Sequence, residues 1–387
     1  MRRISANYII SPNCKSIRNG VLEFDDNGTL LQIIDPKGKE LAHVEWYNGI
    51  IVPGFINAHC HLELSHLKGV IPPRQGMTGF LKGIFANSKQ EFNKQALIDA
   101  DAAMFHEGIV AVGDISNNDS SLPVKQKSKI YYHTFFEALG LNTEIAAATS
   151  LRIQELINKA NKLNLPASAA PHAFYSMSED LWEALKPLFK SQVSSFHHLE
   201  SIDEKLFIEE QKGGLFELMT NIRPNKKLTT PQLSMAALLN KYLIDTSKVL
   251  LIHNGALTDF ESDIYNTLVN KLYFVLCPLS NQYIGNPLPN ITTLKKINRP
   301  ICIGTDSLSS NTQLSICEEM KVLLLNNPQL TFQEVLQWAT LNGAQALSVD
   351  HKLGSFEIGK QPGAVLISHF DFEQTTLTQK SFARRLM

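Results

Sequence analysis

Between Gly49 and Ser309 the chain alternates short runs rich in β-branched and aromatic residues with stretches that repeat apolar positions at helical spacing. Eight runs stand out: IIVPGFINAH, IVAVGDIS, KIYYHTFFE, LPASAAPH, QVSSFHH, KVLLIHN, LYFVLCP and PICIGTD. Several, KVLLIH among them, are almost continuously apolar, as parallel strands covered on both faces are. Eight strands alternating with helices predict an α/β fold, a (β/α)8 TIM-like barrel, whose usual span is about 250 residues. The flanks differ. Residues 1–48 carry hairpin signals, such as Asp-Asn-Gly in FDDNGTLLQI, and the tail GSFEIGKQPGAVLISHFDF is also strand-like. Together they predict a small β-sandwich domain built from both chain termini, residues 1–50 and 350–387, beside a barrel domain of residues 51–349.

Composition narrows what such a barrel does. Its 387 residues include 36 basic and 37 acidic side chains, a net charge of −1, so no global field favours nucleic acid or an anionic membrane. Cysteines at 14, 60, 277, 302 and 317 form no CxxC pair and are odd in number, which predicts reduced thiols and a cytoplasmic location. The opening MRRISANYIISPNCKS is too briefly apolar for a signal segment, and no stretch approaches the ~18 apolar residues of a membrane span.

The candidate chemistry lies at the ends of the runs. His59 and His61 stand at i and i+2 in PGFINAHCHLE. In a strand that spacing puts both imidazoles on one face and Cys60 on the other, a pair able to bite one metal. His197 closes QVSSFHH, His253 closes KVLLIH and Asp306 closes PICIGTD. These runs thus deliver metal-competent or acid–base groups to the C-terminal rim, where barrel active sites lie. Face counting separates neighbours. Phe196 belongs against the helical shell, which turns His197 to the axis and His198 outward. In ICIGTD the same count sends Ile301, Ile303 and Thr305 outward and Cys302, Gly304 and Asp306 inward. Three neutral imidazoles with a carboxylate make an N/O site suited to Zn2+ or Fe2+ and poor for Cu(I).

PGFINAHCH, APHAFYS, the HxxE of HHLE, LIHNGALT, CPLSN and GTDSLSSN follow one another in the order of the amidohydrolase superfamily motifs. From residue 51 to about residue 311 the chain resembles the nucleobase and aromatic-amine deaminase branch of that superfamily, and EIGKQPGAVLI extends the likeness towards the end of the chain. Within the branch, HCHLELS, the cysteine of CPLSN and TDSLSSN are most similar to the aminodeoxyfutalosine deaminases of menaquinone biosynthesis. Elsewhere in the branch a histidine usually stands at the position of Cys277.

The resemblance implies a hydrolytic deaminase that converts an adenine-type amine to the hypoxanthine form and releases ammonia. It implies one divalent metal ion, zinc first and iron as the alternative, held by His59, His61, His197 and Asp306. Glu200 would protonate the ring nitrogen, His253 would orient the hydroxide and stabilise the tetrahedral oxygen, and Asp306 would take the water's proton. His172 would offer the substrate a hydrogen bond. The lysine that bridges two metals in binuclear relatives has no counterpart: the fourth run ends in His172, while Lys125, Lys127 and Lys129 precede the third.

Several residues keep two readings. Glu63 and Ser65 in HLELS touch substrate or brace the first loop, and Glu137 ends the third run where strand tips face a ligand. Without His197 three residues before it, Glu200 would read as a cap of the helix starting near SIDEKLF. Phe80 and Leu81 in GMTGFLKGIF form an apolar lid or pack as an ordinary helix face, and Cys277 reads as a packed small hydrophobe. His43, His66, His106, His133, His351 and His369 carry no motif. For a nucleoside with a ribose and a carboxyphenyl ketone arm, Glu63 or Glu137 suits the sugar. Arg74 in IPPRQG and Arg223 in NIRPNKKLT are candidates for the carboxylate, which an arginine fork matches. Competing functions are another amidohydrolase reaction at the same metal (adenosine-type, guanine, other cyclic amine or amide, or ring halide) and a noncatalytic scaffold. The expected partner is a small nucleoside-like molecule, with neither nucleic acid nor membrane; a homodimer stays open.

Overall fold

The computed structural model describes residues 1–12, 14–38, 41–88, 93–222, 230, 233–259, 265 and 271–387. Five strands open the chain: β1 (Arg2–Ile9), β2 (Ile17–Arg18), β3 (Val21–Phe24), β4 (Leu30–Ile34) and β5 (Glu45–Val52). Eight more follow with helices between most of them: β6 (Phe55–Cys60), β7 (Ile109–Ser116), β8 (Tyr131–Ala138), β9 (Ala167–Pro171), β10 (Val193–His198), β11 (Lys248–His253), β12 (Lys271–Leu276) and β13 (Ile301–Ile303). The hairpin β14 (Val365–Asp371) and β15 (Thr376–Arg385) closes the chain.

The terminal strands share one seven-stranded sheet, ordered β15-β14-β5-β1-β3-β4 with β2 on β1, so both ends of the chain contribute to it. Its two faces follow strand alternation. Ile51 and Leu366 join Ile4, Leu22 and Phe24 in a core of the sheet's own. Their neighbours Ile50, Val52, Val365 and Ile367 pack into the large core around the barrel. The first apolar run, read as one strand, is two: Pro53 and Gly54 part β5 from β6. A Cβ on Gly54 would lie 2.3 Å from Val110 Cγ1 and 2.7 Å from the Pro362 carbonyl, so only glycine lets the chain cross between the sheets here.

Strands β6 to β13 run parallel in two four-stranded sheets, β6-β7-β8-β9 and β10-β11-β12-β13. Two seams close them into a TIM-like barrel. A parallel bridge joins Ala173 to His197, and another joins Cys60 to Asp306. Inside lie Ile56, Ala58, Phe135, Ala170, Leu250, Ile252, Val275 and Cys302, while Phe136, Phe196, Leu251, Phe274, Ile301 and Ile303 pack outward with the helices. This inside–outside alternation is what the sequence pattern encodes. Among the described residues no helix is long and apolar enough to cross a membrane.

The second seam carries a buried clamp. Asn57 Nδ2 donates to Thr305 Oγ1 at 2.7 Å and Asn57 Oδ1 accepts the Thr305 N–H at 3.1 Å. Asn57→Ala should therefore destabilise the fold by about 1–3 kcal/mol. The check is a urea titration, in which the midpoint falls at constant slope; an unchanged midpoint would show that the clamp contributes nothing.

Candidate metal centre and active-site cavity

The C-terminal ends of three barrel strands, β6, β10 and β13, bring their donors together. His61 Nε2 lies 3.2 Å from His59 Nε2 and 3.3 Å from His197 Nε2. Asp306 Oδ1 lies 3.7 Å from His59 Nε2 and 3.5 Å from His61 Nε2. A register shift between Asn57 and Cys60 restarts the alternation of β6, so Cys60 packs into the shell between two inward histidines. His197 faces the axis, whereas His198 bonds Asn254 Oδ1 (2.8 Å) and Tyr265 Oη (2.7 Å) on the outer side. Gly304 makes room for the pair: a Cβ there would stand 2.8–2.9 Å from His59 atoms.

The chemistry of this donor set fits one divalent cation. Burial keeps the imidazoles neutral, holding His61 down to about 3 and His197 well below its usual range. His197 Nδ1 donates to the His172 carbonyl at 3.0 Å, which leaves the Nε2 lone pair pointing at the cluster. Burial alone would push the Asp306 carboxyl up, but the close approach of His59, His61 and His253 holds it well below the ordinary carboxylate range. Its Oδ2 accepts from Ser280 Oγ and Ser310 Oγ, both at 2.7 Å, so Oδ1 is the atom turned to the histidines.

Next to the cluster stand Glu200 and His253. Strict alternation would send His253 outward with Leu251, but its φ of 74° turns it into the cavity. Its Nδ1 sits 3.1 Å from Asn281 Oδ1 and its Nε2 3.7 Å from Glu200 Oε2. Asn286 Nδ2 donates to Glu200 Oε1 at 3.2 Å. Burial raises the Glu200 carboxyl, outweighing the opposing pull of His253. The helix Ile202–Glu210 takes its cap from Ser201, so Glu200 is left to the cavity.

The cavity holds about 850 Å3 and opens from the metal-competent cluster into an apolar vestibule. Met77, Phe80, Leu81 and Ile84, one stripe of the helix Gly76–Asn87, form one wall, and Leu141, Met219 and Ile222 line it further. On the inner wall Asn117 joins two carboxylates: its N–H and Nδ2 donate to Glu63 (2.9–3.1 Å), and Nδ2 also reaches Glu137 Oε2 at 3.2 Å. Glu137 Oε1 is buried without a hydrogen bond, 3.6 Å from His197 Nδ1, and burial pushes this carboxyl up to about 8. His172 lines the cavity with its Nδ1 on Ser176 Oγ at 2.7 Å.

Other candidates fall elsewhere. Ser65 braces the first loop, its Oγ donating to the Leu62 carbonyl at 2.7 Å. Arg74 is exposed and outside the cavity lining, and Arg223 lies outside the described residues. Lys125 is buried against Asp114 at 2.6 Å, with Ser116 and Thr134. Cys277 is fully buried in the barrel interior. His66, which carried no motif, is at the cavity wall with its Nδ1 on the Glu63 carbonyl at 3.0 Å. Asn117, Tyr175, Ser280, Asn281, Asn286 and Ser310 were not singled out from sequence; most lie in quoted motifs such as CPLSN and SLSSN, whose internal polar residues were the available signal.

Residues 50–382 match the model of the Amidohydrolase family, and the chain belongs to that family. This is a family of metal-dependent hydrolases, many of which act on carbon–nitrogen bonds. Among curated relatives, a Helicobacter pylori protein named adenosine deaminase is 25% identical, over 98% of this chain and 94% of its own. A Nitratiruptor sp. aminodeoxyfutalosine deaminase is also 25% identical, over 83% and 79%. Among solved structures, Helicobacter pylori aminofutalosine deaminase in complex with methylthio-coformycin superposes with a TM-score of 0.84 at 22% identity, covering both chains completely.

The adjacent histidines offer a direct contrast. His197→Ala should lose the metal while keeping the fold, and His198→Ala should keep the metal but unfold more readily, since it removes two buried hydrogen bonds, to Asn254 and Tyr265. Elemental analysis of both variants checks this; metal lost from the His198 variant alone would reverse the assignment.

Proposed function

We propose that the chain is a hydrolytic deaminase of an adenine nucleoside bearing an apolar, aromatic extension, with aminodeoxyfutalosine as its substrate. One observation carries the reading: a buried acid, Glu200, stands on the same barrel rim as the clustered side chains of His59, His61, His197 and Asp306, at the base of an apolar cavity. His59, His61, His197 and Asp306 would hold one divalent cation, zinc by donor type with iron as the alternative, and when bound it lowers the pKa of water towards ~7.

The residues divide the remaining work. Glu200, its proton affinity raised by burial, holds a proton for the purine ring nitrogen, and Asn286 keeps its carboxyl aimed inward. Asp306 accepts a proton at Oδ1 and passes it towards the departing ammonia, while Ser280 and Ser310 fix Oδ2. His253, whose Nδ1 donates to Asn281, supports oxygen as it develops charge at the attacked carbon when its Nε2 is also protonated and can donate. His172 faces the base. The Glu63–Asn117–Glu137 wall offers acceptors to sugar hydroxyls, Glu137 Oε1 being free to take one.

The vestibule suits an aromatic ketone arm. Among the described residues no lysine or arginine lines the cavity, so the arm is held there by apolar contact. Arg223 follows Ile222, a cavity-wall residue, in sequence and remains our candidate for the arm's carboxylate. The organisation we propose is a catalytic unit of residues 51–349 and a composite β unit of residues 1–50 and 350–387. The sheet of that unit would wrap the Ile4–Phe24–Leu366 core as a sandwich.

Glu200→Gln should retain metal and lose turnover by about 10²–10⁴-fold. Near-parental ammonia release would remove Glu200 from the acid role. In a panel of aminodeoxyfutalosine, adenosine and guanine, aminodeoxyfutalosine should lead adenosine in kcat/KM. Burying roughly 100 Å2 of apolar arm is worth about 2.5 kcal/mol, close to 10²-fold. Faster turnover of adenosine or guanine would reject the arm-bearing substrate.

A further inference from the structure

The turn that carries Glu200 into the cavity is unusual. Leu199 adopts a φ of 45°, in the left-handed region that side-chain-bearing residues rarely enter. Just beyond it, Ser201 accepts the Glu204 N–H at 3.2 Å and caps the helix Ile202–Glu210. Ser201 and Glu204 make the Ser-x-x-Glu pattern whose glutamate ordinarily returns to the N–H of the cap itself. Here Glu204 reaches one residue further: its Oε2 accepts the N–H of Glu200 at 2.8 Å. The other flank of the turn is held as well. The Leu199 carbonyl accepts the Ala256 N–H at 2.8 Å, and a Cβ on Gly255 would stand 3.0 Å from the Glu200 carbonyl. Glu204 is almost fully buried, with no ion-pair partner among the described residues, a costly placement for a group that served only as a helix cap.

We infer that Glu204 is a positioning residue: by accepting the Glu200 N–H it fixes the left-handed turn at Leu199 and aims the Glu200 carboxyl at the substrate. The inference rests on the reading of Glu200 as the general acid. Glu200 is then fixed twice, through its backbone by Glu204 and through its side chain by Asn286. Burial pushes the Glu204 carboxyl up to about 8. Either protonation state keeps an oxygen that accepts the N–H, so an amide in its place does the same. A displacement of about 1 Å in a reacting group costs on the order of 10²-fold in rate, which sets the scale expected when the tether is cut.

The test compares Glu204→Ala, Glu204→Gln and Ser201→Ala with the parent enzyme in its metal-loaded form. Glu204→Leu, which fills the same space without an acceptor, replaces the alanine variant if that one fails to fold. In amide hydrogen exchange resolved to Glu200, its N–H should lose protection in the alanine or leucine variant and keep it in the glutamine variant. With the nucleoside the parent deaminates fastest, kcat should fall about 10–10²-fold without the acceptor. KM and metal content should hold, Glu204→Gln should restore kcat to within about 3-fold, and Ser201→Ala should lower thermal stability with kcat unchanged. Full protection of the Glu200 N–H without the acceptor, or a loss of kcat in Glu204→Gln as large as in Glu204→Ala, would overturn the proposal. If the parent deaminates no adenine nucleoside, the functional reading fails, while the exchange measurement still decides whether Glu204 holds the turn.

Discussion

The N–H groups of Thr305 and Asp306 both donate to one carbonyl, that of His59, at 3.0 and 3.1 Å. Where the last barrel strand meets the first, this shared acceptor closes the barrel and builds its candidate metal centre in the same few residues. The chain leaves β13 through Gly304, whose bare Cα lets the backbone press against His59. Asp306, with a φ of 57°, then turns its carboxylate towards His59 and His61. Fold and site are therefore coupled at this seam, and a substitution that pushes the two strands apart disturbs the donor set before it disturbs the core.

Around the seam, neutral side chains do the aiming. Ser280, Asn281 and Ser310 hold Asp306 and His253, and Asn286 holds Glu200. Leu199, His253 and Asp306 all take positive φ at the rim. Such conformations cost energy and persist where the surroundings over-determine them, which is common at functional sites. Here each one re-aims the chain at a strand end, and the buried interior supplies the rigidity that keeps it there. The cavity beyond is a different environment: acceptors on the inner wall, apolar side chains in the vestibule. Such a division would let the base and sugar of the proposed nucleoside meet acceptors while its extension meets apolar side chains.

Strand parity explains what could be read in advance. Phe196 against the shell told His197 from His198 because β10 keeps its alternation to the tip, and counting on from Ile301 and Ile303 gave the direction of Asp306, although the chain has left β13 by then and Asp306 takes a positive φ. The i, i+2 spacing likewise put His59 and His61 on one face and Cys60 on the other, although a register shift between Asn57 and Cys60 interrupts the count that starts at Ile56. Parity is silent where the backbone leaves a regular strand: His253 points inward through its positive φ. The Pro53–Gly54 break, which parts one apparent strand into two, was hidden by continuous apolar character. Contacts between segments distant in sequence left no trace at all: nothing in HLELS or FFEALG says that Asn117 bridges Glu63 and Glu137. Arg74 suited a carboxylate by type, and its loop puts it outside the cavity. In GMTGFLKGIF, by contrast, Phe80 and Leu81 could be read as a lid or a helix face, though only the fold shows that they face the cavity beside Met77 and Ile84.

We propose that this rim holds a single cation through three imidazoles and one carboxylate, and X-ray absorption at the metal edge of the purified protein reads that shell. A first shell of nitrogen and oxygen alone is expected, with scatterers at about 2.0–2.2 Å, imidazole scattering beyond it and one metal per chain. Sulfur scattering at about 2.3 Å, as Cys60 or Cys277 would give, or a second metal at close range, would contradict it.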